Sequence, residues 1–208
     1  MDFALIETLR WTPYEGFVRL PLHLARMETS AGTLGFKFDR NAAIAALENA
    51  AGGSAALRMR LELARDGGLG VTAAPYVPVG LDTAWRLAIA STRLNSEDSL
   101  LRHKTTRRDS YAAARAEFPA EVADEVILLN ESGLVCEGTF TNLFVRREPD
   151  GPLLTPPLSC GLLPGVLRRA LLETGEAREA FLAPGYLADA AEIFCGNSLR
   201  GLIPATLR

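Results

Sequence analysis

Asn130-Glu-Ser-Gly-Leu-Val-Cys-Glu-Gly-Thr-Phe-Thr-Asn-Leu-Phe-Val145 is the stretch around which this chain is built. An apolar run ends at Leu129, Asn130 to Gly133 has the chemistry of a hairpin turn, and Leu134 to Val145 reads as further strand. Glu137 is therefore predicted to sit on a rigid sheet rather than on a mobile loop. A carboxylate fixed in that way is a candidate chemical tool.

Upstream, in Leu101-Arg-His-Lys-Thr-Thr-Arg-Arg-Asp-Ser-Tyr111, stands one of only two lysines, Lys37 and Lys104, against 20 arginines. Where positive charge alone is wanted this sequence uses arginine, so a lysine asks for a separate reason. Its amine can lose a proton and form a Schiff base with an aldehyde, which a guanidinium cannot do. The pattern from Asp109 to Phe118 is helical, so Lys104 is predicted just before a helix and Tyr111 within it.

Toward the N-terminus, Phe3–Trp11 reads as a strand, Thr12 to Gly16 as a turn and Phe17 to Leu20 as its partner strand. Leu24, Met27, Ala31 and Leu34 recur at helical spacing from Pro21, and Gly35 is a stop. A second, alanine-rich helix spans Asn41 to Ala51. Leu57–Arg65 alternates strictly, as a half-buried strand does, and Asp66-Gly-Gly68 turns it back into a strand over Val71–Tyr76. Arg86–Ser91 is another strand, and the junction between two subdomains is placed around residues 78–98.

Toward the C-terminus, Leu163 to Glu173 opens a helix with Pro164 near its first turn. The unpaired N–H groups and partial positive charge at such a helix start suit a phosphate. Ala190 to Cys195 is a strand running into Gly196-Asn197-Ser198, and Leu202 to Thr206 closes the chain. No internal repeat or low-complexity tract is present.

With 208 residues, 48% of them hydrophobic, the chain can bury an ample core as one large domain or two small ones. A net charge of −3, with no basic run longer than paired arginines, argues against a nucleic-acid surface and gives no footprint for an anionic membrane. Small molecules are the expected partners. The three cysteines, Cys136, Cys160 and Cys195, lack C-x-x-C spacing, so neither a disulfide framework nor a metal site is indicated and a reducing cytoplasm fits. Asp2 and Glu7 stand where a leader would carry basic charge, and no apolar run approaches the ~18 residues of a membrane span.

Lys104 with Tyr111, the Asn130–Val145 stretch, Gly161-Leu-Leu-Pro-Gly-Val-Leu-Arg168 and Gly196-Asn-Ser-Leu-Arg-Gly-Leu-Ile-Pro204 occur in the order and spacing of the class IV aminotransferases, which this chain resembles from about residue 5 to 206. Those are pyridoxal-phosphate enzymes of fold type IV: branched-chain and D-amino-acid aminotransferases and aminodeoxychorismate lyase. The resemblance implies an α/β fold of two small subdomains, residues 1–85 and 95–208, with pyridoxal 5′-phosphate in the cleft between them and Lys104 and Glu137 on the second. It implies Lys104 as the cofactor-bearing catalytic lysine, Tyr111 near the lysine and cofactor, and Glu137 on the pyridine nitrogen. His23-Leu24-Ala25-Arg26 matches a family motif whose arginine holds the phosphate, and His23 then reads as a structural partner. The backbone N–H groups of Val166 and Leu167, with Asn197 and Ser198, are implied as further phosphate or substrate contacts. A homodimer is implied as well. Family members usually carry one more strand before the segment matching Glu7-Thr-Leu-Arg10, so part of that sheet edge is expected to be missing. Cys160-Gly-Leu-Leu-Pro-Gly-Val and Asn197-Ser-Leu-Arg-Gly look like the lyase branch, which forms 4-aminobenzoate, a folate precursor. An aminotransferase acting on branched-chain or D-amino acids is the alternative, and a non-catalytic binding module the second.

Overall fold

The alternation of Leu57–Arg65 becomes a strand in the computed structural model, which describes residues 3–80, 82–149 and 151–207. β1 (Leu5–Thr12), β2 (Gly16–Phe17), β3 (Leu57–Leu63) and β4 (Leu69–Pro75) form an antiparallel sheet ordered β2-β1-β3-β4. Met59, Leu61 and Leu63 of β3 are buried, as their period of two requires. In β1 the same period puts Leu5, Glu7 and Leu9 on one face, and all three are buried. α1 (Leu20–Leu34) and α2 (Arg40–Ala50) pack Leu24, Met27, Ala31 and Leu47 into the same core.

The predicted strand over Phe17–Leu20 ends instead at Phe17. Arg19 takes a left-handed backbone (φ 56°) and α1 begins at Leu20. Pro21 explains the switch: it has no N–H for a strand ladder, whereas in the first helical turn that donor is not needed. At the other end Gly35 adopts φ 71° and donates its N–H to the Ala31 carbonyl.

The second sheet has eight strands, ordered β10-β9-β8-β11-β12-β5-β6-β7. They are β5 (Trp85–Leu94), β6 (Glu125–Asn130), β7 (Val135–Gly138), β8 (Asn142–Arg146), β9 (Leu153–Thr155), β10 (Ala177–Glu179), β11 (Glu192–Asn197) and β12 (Gly201–Leu207). β5 runs parallel to both β6 and β12. Every residue of β6 is buried, with Ile127 and Leu129 in one core and Val126 and Leu128 in another, which accounts for its unbroken apolar run. α3 (Asp109–Ala116), α4 (Val166–Glu173) and α5 (Pro184–Ala188) complete this part.

By their contacts the residues fall into two units: the chain up to Pro78 with His103–Arg107, and Val79–Arg102 with the chain from Arg108 onward. Two of the boundaries read from the sequence move. β5 joins the second unit because it pairs with β6 and β12. Lys104 joins the first, because its segment pairs with β1: Ile6 N–H bonds the Lys104 carbonyl at 2.9 Å and Thr106 N–H the Ala4 carbonyl at 2.9 Å. Among the described residues no helix is long and apolar enough to cross a membrane.

Leu134–Val145 is two strands, not one. The break at Thr139–Thr141 is organised by Glu125, a buried carboxylate that accepts bonds from Thr139 N–H (2.9 Å), the Thr139 hydroxyl (2.5 Å), Phe140 N–H (3.2 Å) and the Thr141 hydroxyl (2.8 Å). A buried carboxylate needs such donors, and only a turn brings three consecutive residues round to one. Gly138 makes room for it: a Cβ there would stand 2.5 Å from Thr141 Oγ1 and 2.7 Å from the Glu125 carboxylate. Gly138→Ala is therefore expected to destabilise the protein by about 1–3 kcal/mol in urea denaturation. Gly32→Ala, inside α1 with nothing near its Cβ position, is expected to stabilise it by about 0.5–1 kcal/mol.

Candidate active site

Glu137 is 4% exposed and accepts hydrogen bonds on both carboxylate oxygens. Tyr111 donates its hydroxyl to Oε1 at 2.6 Å, Leu163 N–H reaches the same oxygen at 3.0 Å, and Asn142 Nδ2 reaches Oε2 at 3.2 Å. Tyr111, predicted near the lysine and cofactor, is thus a partner of the glutamate. Burial, and then the adjacent carboxylate, push the phenol pKa well up, so Tyr111 stays a donor. The Arg108 guanidinium lies 4.2 Å from its ring centroid and donates to the Thr139 carbonyl.

The same network leads to the helix start. Asn142 Nδ2 also donates to the Leu163 carbonyl at 3.1 Å, and a Cβ on Gly165 would collide with Asn142 Oδ1. Gly165 is the N-cap of α4 and no side chain caps it, so the helix opens at Val166 and Leu167 with its N–H groups presented by backbone alone. Pro164 lies before the helix, not in its first turn, because Gly165 is extended (φ −62°, ψ 143°). Gly196 approaches this corner closely: its Cβ would stand 2.8 Å from Leu167 Cδ2. Of the next two residues, Asn197 donates to the Phe140 carbonyl at 3.2 Å and accepts from Arg200 N–H at 2.9 Å, and Ser198 is buried. Glu137 and Tyr111 are thus tied through Asn142 and Leu163 to the residues just before Val166 and Leu167, and Asn197 and Ser198 lie in the same unit, next to Gly196.

In the first unit Arg26 does not stand alone. Its Nε and Nη2 donate to the two oxygens of Glu7 at 2.8 and 2.6 Å, and His23 Nδ1 meets Glu7 Oε2 at 2.6 Å. Glu7, the buried carboxylate that both side chains share, is the member of this cluster the sequence reading missed. The signal was present, since strand periodicity puts it on the face of Leu5 and Leu9, where a carboxylate needs partners. Burial would raise its pKa, but the attraction of Arg26 and His23, with their hydrogen bonds, holds it at about 2, below its ordinary 4.5. For His23 burial acts the other way and holds the pKa below its ordinary value, against the pull of Glu7; Arg26 and Lys104 add to the lowering. Both groups bind protons more readily when unfolded, so each contributes stability at neutral pH that is lost on acidification. For Glu7 that loss sets in below about pH 4.5 and continues toward pH 2. The unfolding free energy of the natural protein is accordingly expected to fall more steeply across this window than that of Glu7→Gln, measured by urea denaturation at stepped pH.

Lys104 is partly buried on the strand-like segment beside β1, with its backbone fixed by Ile6. Lys37 lies elsewhere in this unit, where its N–H bonds the Arg65 carbonyl at 3.1 Å.

The family model for amino-transferase class IV matches residues 4–207. The chain belongs to the class IV aminotransferase family. Members of this family are pyridoxal-phosphate-dependent enzymes, and the mixed α/β architecture is that of fold type IV. A Mesorhizobium loti crystal structure, provisionally named an amino-acid aminotransferase, is similar over 100% of both chains, with 51% identity and a TM-score of 0.97. A Schizosaccharomyces pombe protein provisionally named an aminodeoxychorismate lyase is 30% identical over 98% of this chain and 89% of its own length. The aminodeoxychorismate lyase of Saccharomyces cerevisiae is 31% identical over 60% of this chain, a match spanning 37% of that protein. The chain thus covers little more than a third of that larger relative.

Proposed function

We propose that this class IV aminotransferase family member binds pyridoxal 5′-phosphate and acts as a lyase, converting 4-amino-4-deoxychorismate to 4-aminobenzoate and pyruvate. The observation that carries the lyase reading is the match along nearly the whole of both chains to the S. pombe protein named for that activity. The residues fit the cofactor by their chemistry. Lys104 supplies the primary amine for its aldehyde, and Arg26 a planar fork for its phosphate, which a lysine would not bind bidentately. The N–H groups of Val166 and Leu167, at a helix start that no side chain caps, also suit a phosphate by their chemistry, as do the side chains of Asn197 and Ser198. Glu137, already ordered by Tyr111, Leu163 and Asn142, suits the ring nitrogen.

When bound, the cofactor supplies an electron sink for the pair of electrons left as the substrate's C–H bond breaks. Lys104 takes that proton from the carbon bearing the substrate amine. Glu137 keeps a proton on the ring nitrogen by the attraction of its carboxylate. The bond from the neighbouring ring carbon to the enolpyruvyl oxygen breaks, the substrate ring becomes aromatic, and the released enolpyruvate takes up a proton at its methylene carbon, in balance with the one Lys104 removed, to leave as pyruvate. Aromatisation makes the sequence irreversible.

The 51%-identical M. loti structure favours a second reading, amino transfer from an amino acid to a keto acid. The two separate cleanly by incubation with 4-amino-4-deoxychorismate in the absence of any keto acid. The lyase reading expects stoichiometric 4-aminobenzoate and pyruvate. Turnover only when a keto acid is supplied, with an amino acid as product, would replace it with the aminotransferase. For the anchor, Arg26→Ala is expected to weaken cofactor retention by about tenfold or more in equilibrium dialysis, the worth of one charge-assisted bond.

A further inference from the structure

We propose that Glu7 is a positioning residue that holds the Arg26 guanidinium in the one orientation suited to an oxyanion and registers it against the backbone of Lys104. The proposal rests on the reading of Arg26 as phosphate ligand and deepens it. Three observations on the first unit carry it.

The grip on Arg26 is two-point. Glu7 Oε1 takes the Nε–H at 2.8 Å and Oε2 takes Nη2 at 2.6 Å, so one edge of the fork is held and its plane is fixed. A single bond would leave the side chain free to rotate about it; two parallel bonds do not. The plane of the Arg26 guanidinium is then fixed before an anion arrives, which is the entropic advantage of preorganisation.

Glu7 is itself immobile. It is 1% exposed, lies between Leu5 and Leu9 on the inward face of β1, and meets His23 Nδ1 at 2.6 Å as well as Arg26. With the carboxylate ionised, the ring nitrogen toward it carries the proton, so His23 donates and ties α1 to β1 at a second point. A carboxylate on that face costs stability unless it is fully bonded, and an apolar residue there would fill the core at no such cost. Packing alone does not account for a glutamate at this position.

The strand that carries Glu7 also holds the lysine. Ile6 N–H bonds the Lys104 carbonyl, and Leu5 bridges Thr105. Consecutive residues of β1 thus fix the lysine backbone through Ile6 and the arginine fork through Glu7. The separation between the amine-bearing residue and the anion-binding one is set by one short piece of strand.

The test compares pyridoxal phosphate with pyridoxal, which lacks the phosphate, by absorbance titration of the purified full chain. The dissociation constant of pyridoxal divided by that of pyridoxal phosphate reads phosphate recognition apart from catalysis. Glu7→Gln is expected to lower that ratio by about tenfold or more while changing pyridoxal affinity by less than about threefold. Arg26→Gln should lower the ratio at least as far, and the double variant no further than Arg26→Gln alone, because Glu7 acts through the arginine. If Glu7→Gln does not fold, Glu7→Asp, which keeps the charge and retracts it by one methylene, is expected to give a smaller loss in the same direction. A folded Glu7 variant that keeps the natural ratio, while Arg26→Gln collapses it, overturns the positioning role and leaves the phosphate reading standing. A ratio near one in the natural protein overturns both.

Discussion

Lys104→Ala is expected to lower turnover by about a thousandfold or more, the worth of a positioned proton-transfer group together with the loss of the covalent anchor. Glu7, Arg26 and Glu137 remain in that variant, so cofactor affinity should fall far less than activity, and the protein should still unfold cooperatively near the natural midpoint. Lys104→Arg is expected to be almost as damaging. Arginine keeps the charge and most of the length but has no amine that titrates or condenses with an aldehyde. Lys37→Arg is the matched control, expected within about twofold of the natural rate because arginine preserves its charge and its backbone N–H bond to Arg65. Rates and titrations on the three variants check this together. A Lys104→Arg protein with natural turnover would remove the lysine from the chemistry.

Glu137→Gln is the second large effect. The amide keeps the shape of the side chain and an oxygen for Tyr111 and Leu163 N–H, so the local geometry should survive. What it loses is the negative charge, and its NH2 presents donors where Asn142 Nδ2 also donates. Turnover is expected to fall by about a hundred- to a thousandfold, with cofactor affinity changed by less than about tenfold, because a fixed charge matters most where charge develops during reaction. Single-turnover kinetics would separate the terms. An equal loss in binding and in the chemical step would make Glu137 an anchor only.

Much of this was readable from residues because local chemistry and tertiary demand agree. Asp39 caps α2 with bonds to Asn41 and Ala42, Gly35 ends α1, and Gly67 takes φ 100° in the β3–β4 hairpin, each where its residue type says it should. The strands Leu153–Thr155 and Ala177–Glu179 were not legible, since three residues are too few for a period and their pairing is with each other across the chain. The break at Thr139–Thr141 was missed because its cause, Glu125, lies at the start of another strand, 14 to 16 residues away in sequence. Glu7 was missed in the same way. Its partners Arg26 and His23 come from α1, and its charge was weighed only against a leader sequence. Lys104 was found by its rarity and by family resemblance, yet its place beside β1 depends on backbone bonds to Ala4 and Ile6 that leave no trace in composition.

The claim that Lys104 carries pyridoxal phosphate is tested most directly by borohydride reduction of the purified protein with its cofactor, followed by peptide mapping. With only two lysines in the chain the answer is unambiguous. The account predicts a stable pyridoxyl label on Lys104 and none on Lys37; a label on Lys37, or on neither lysine in protein that has bound the cofactor, would contradict it.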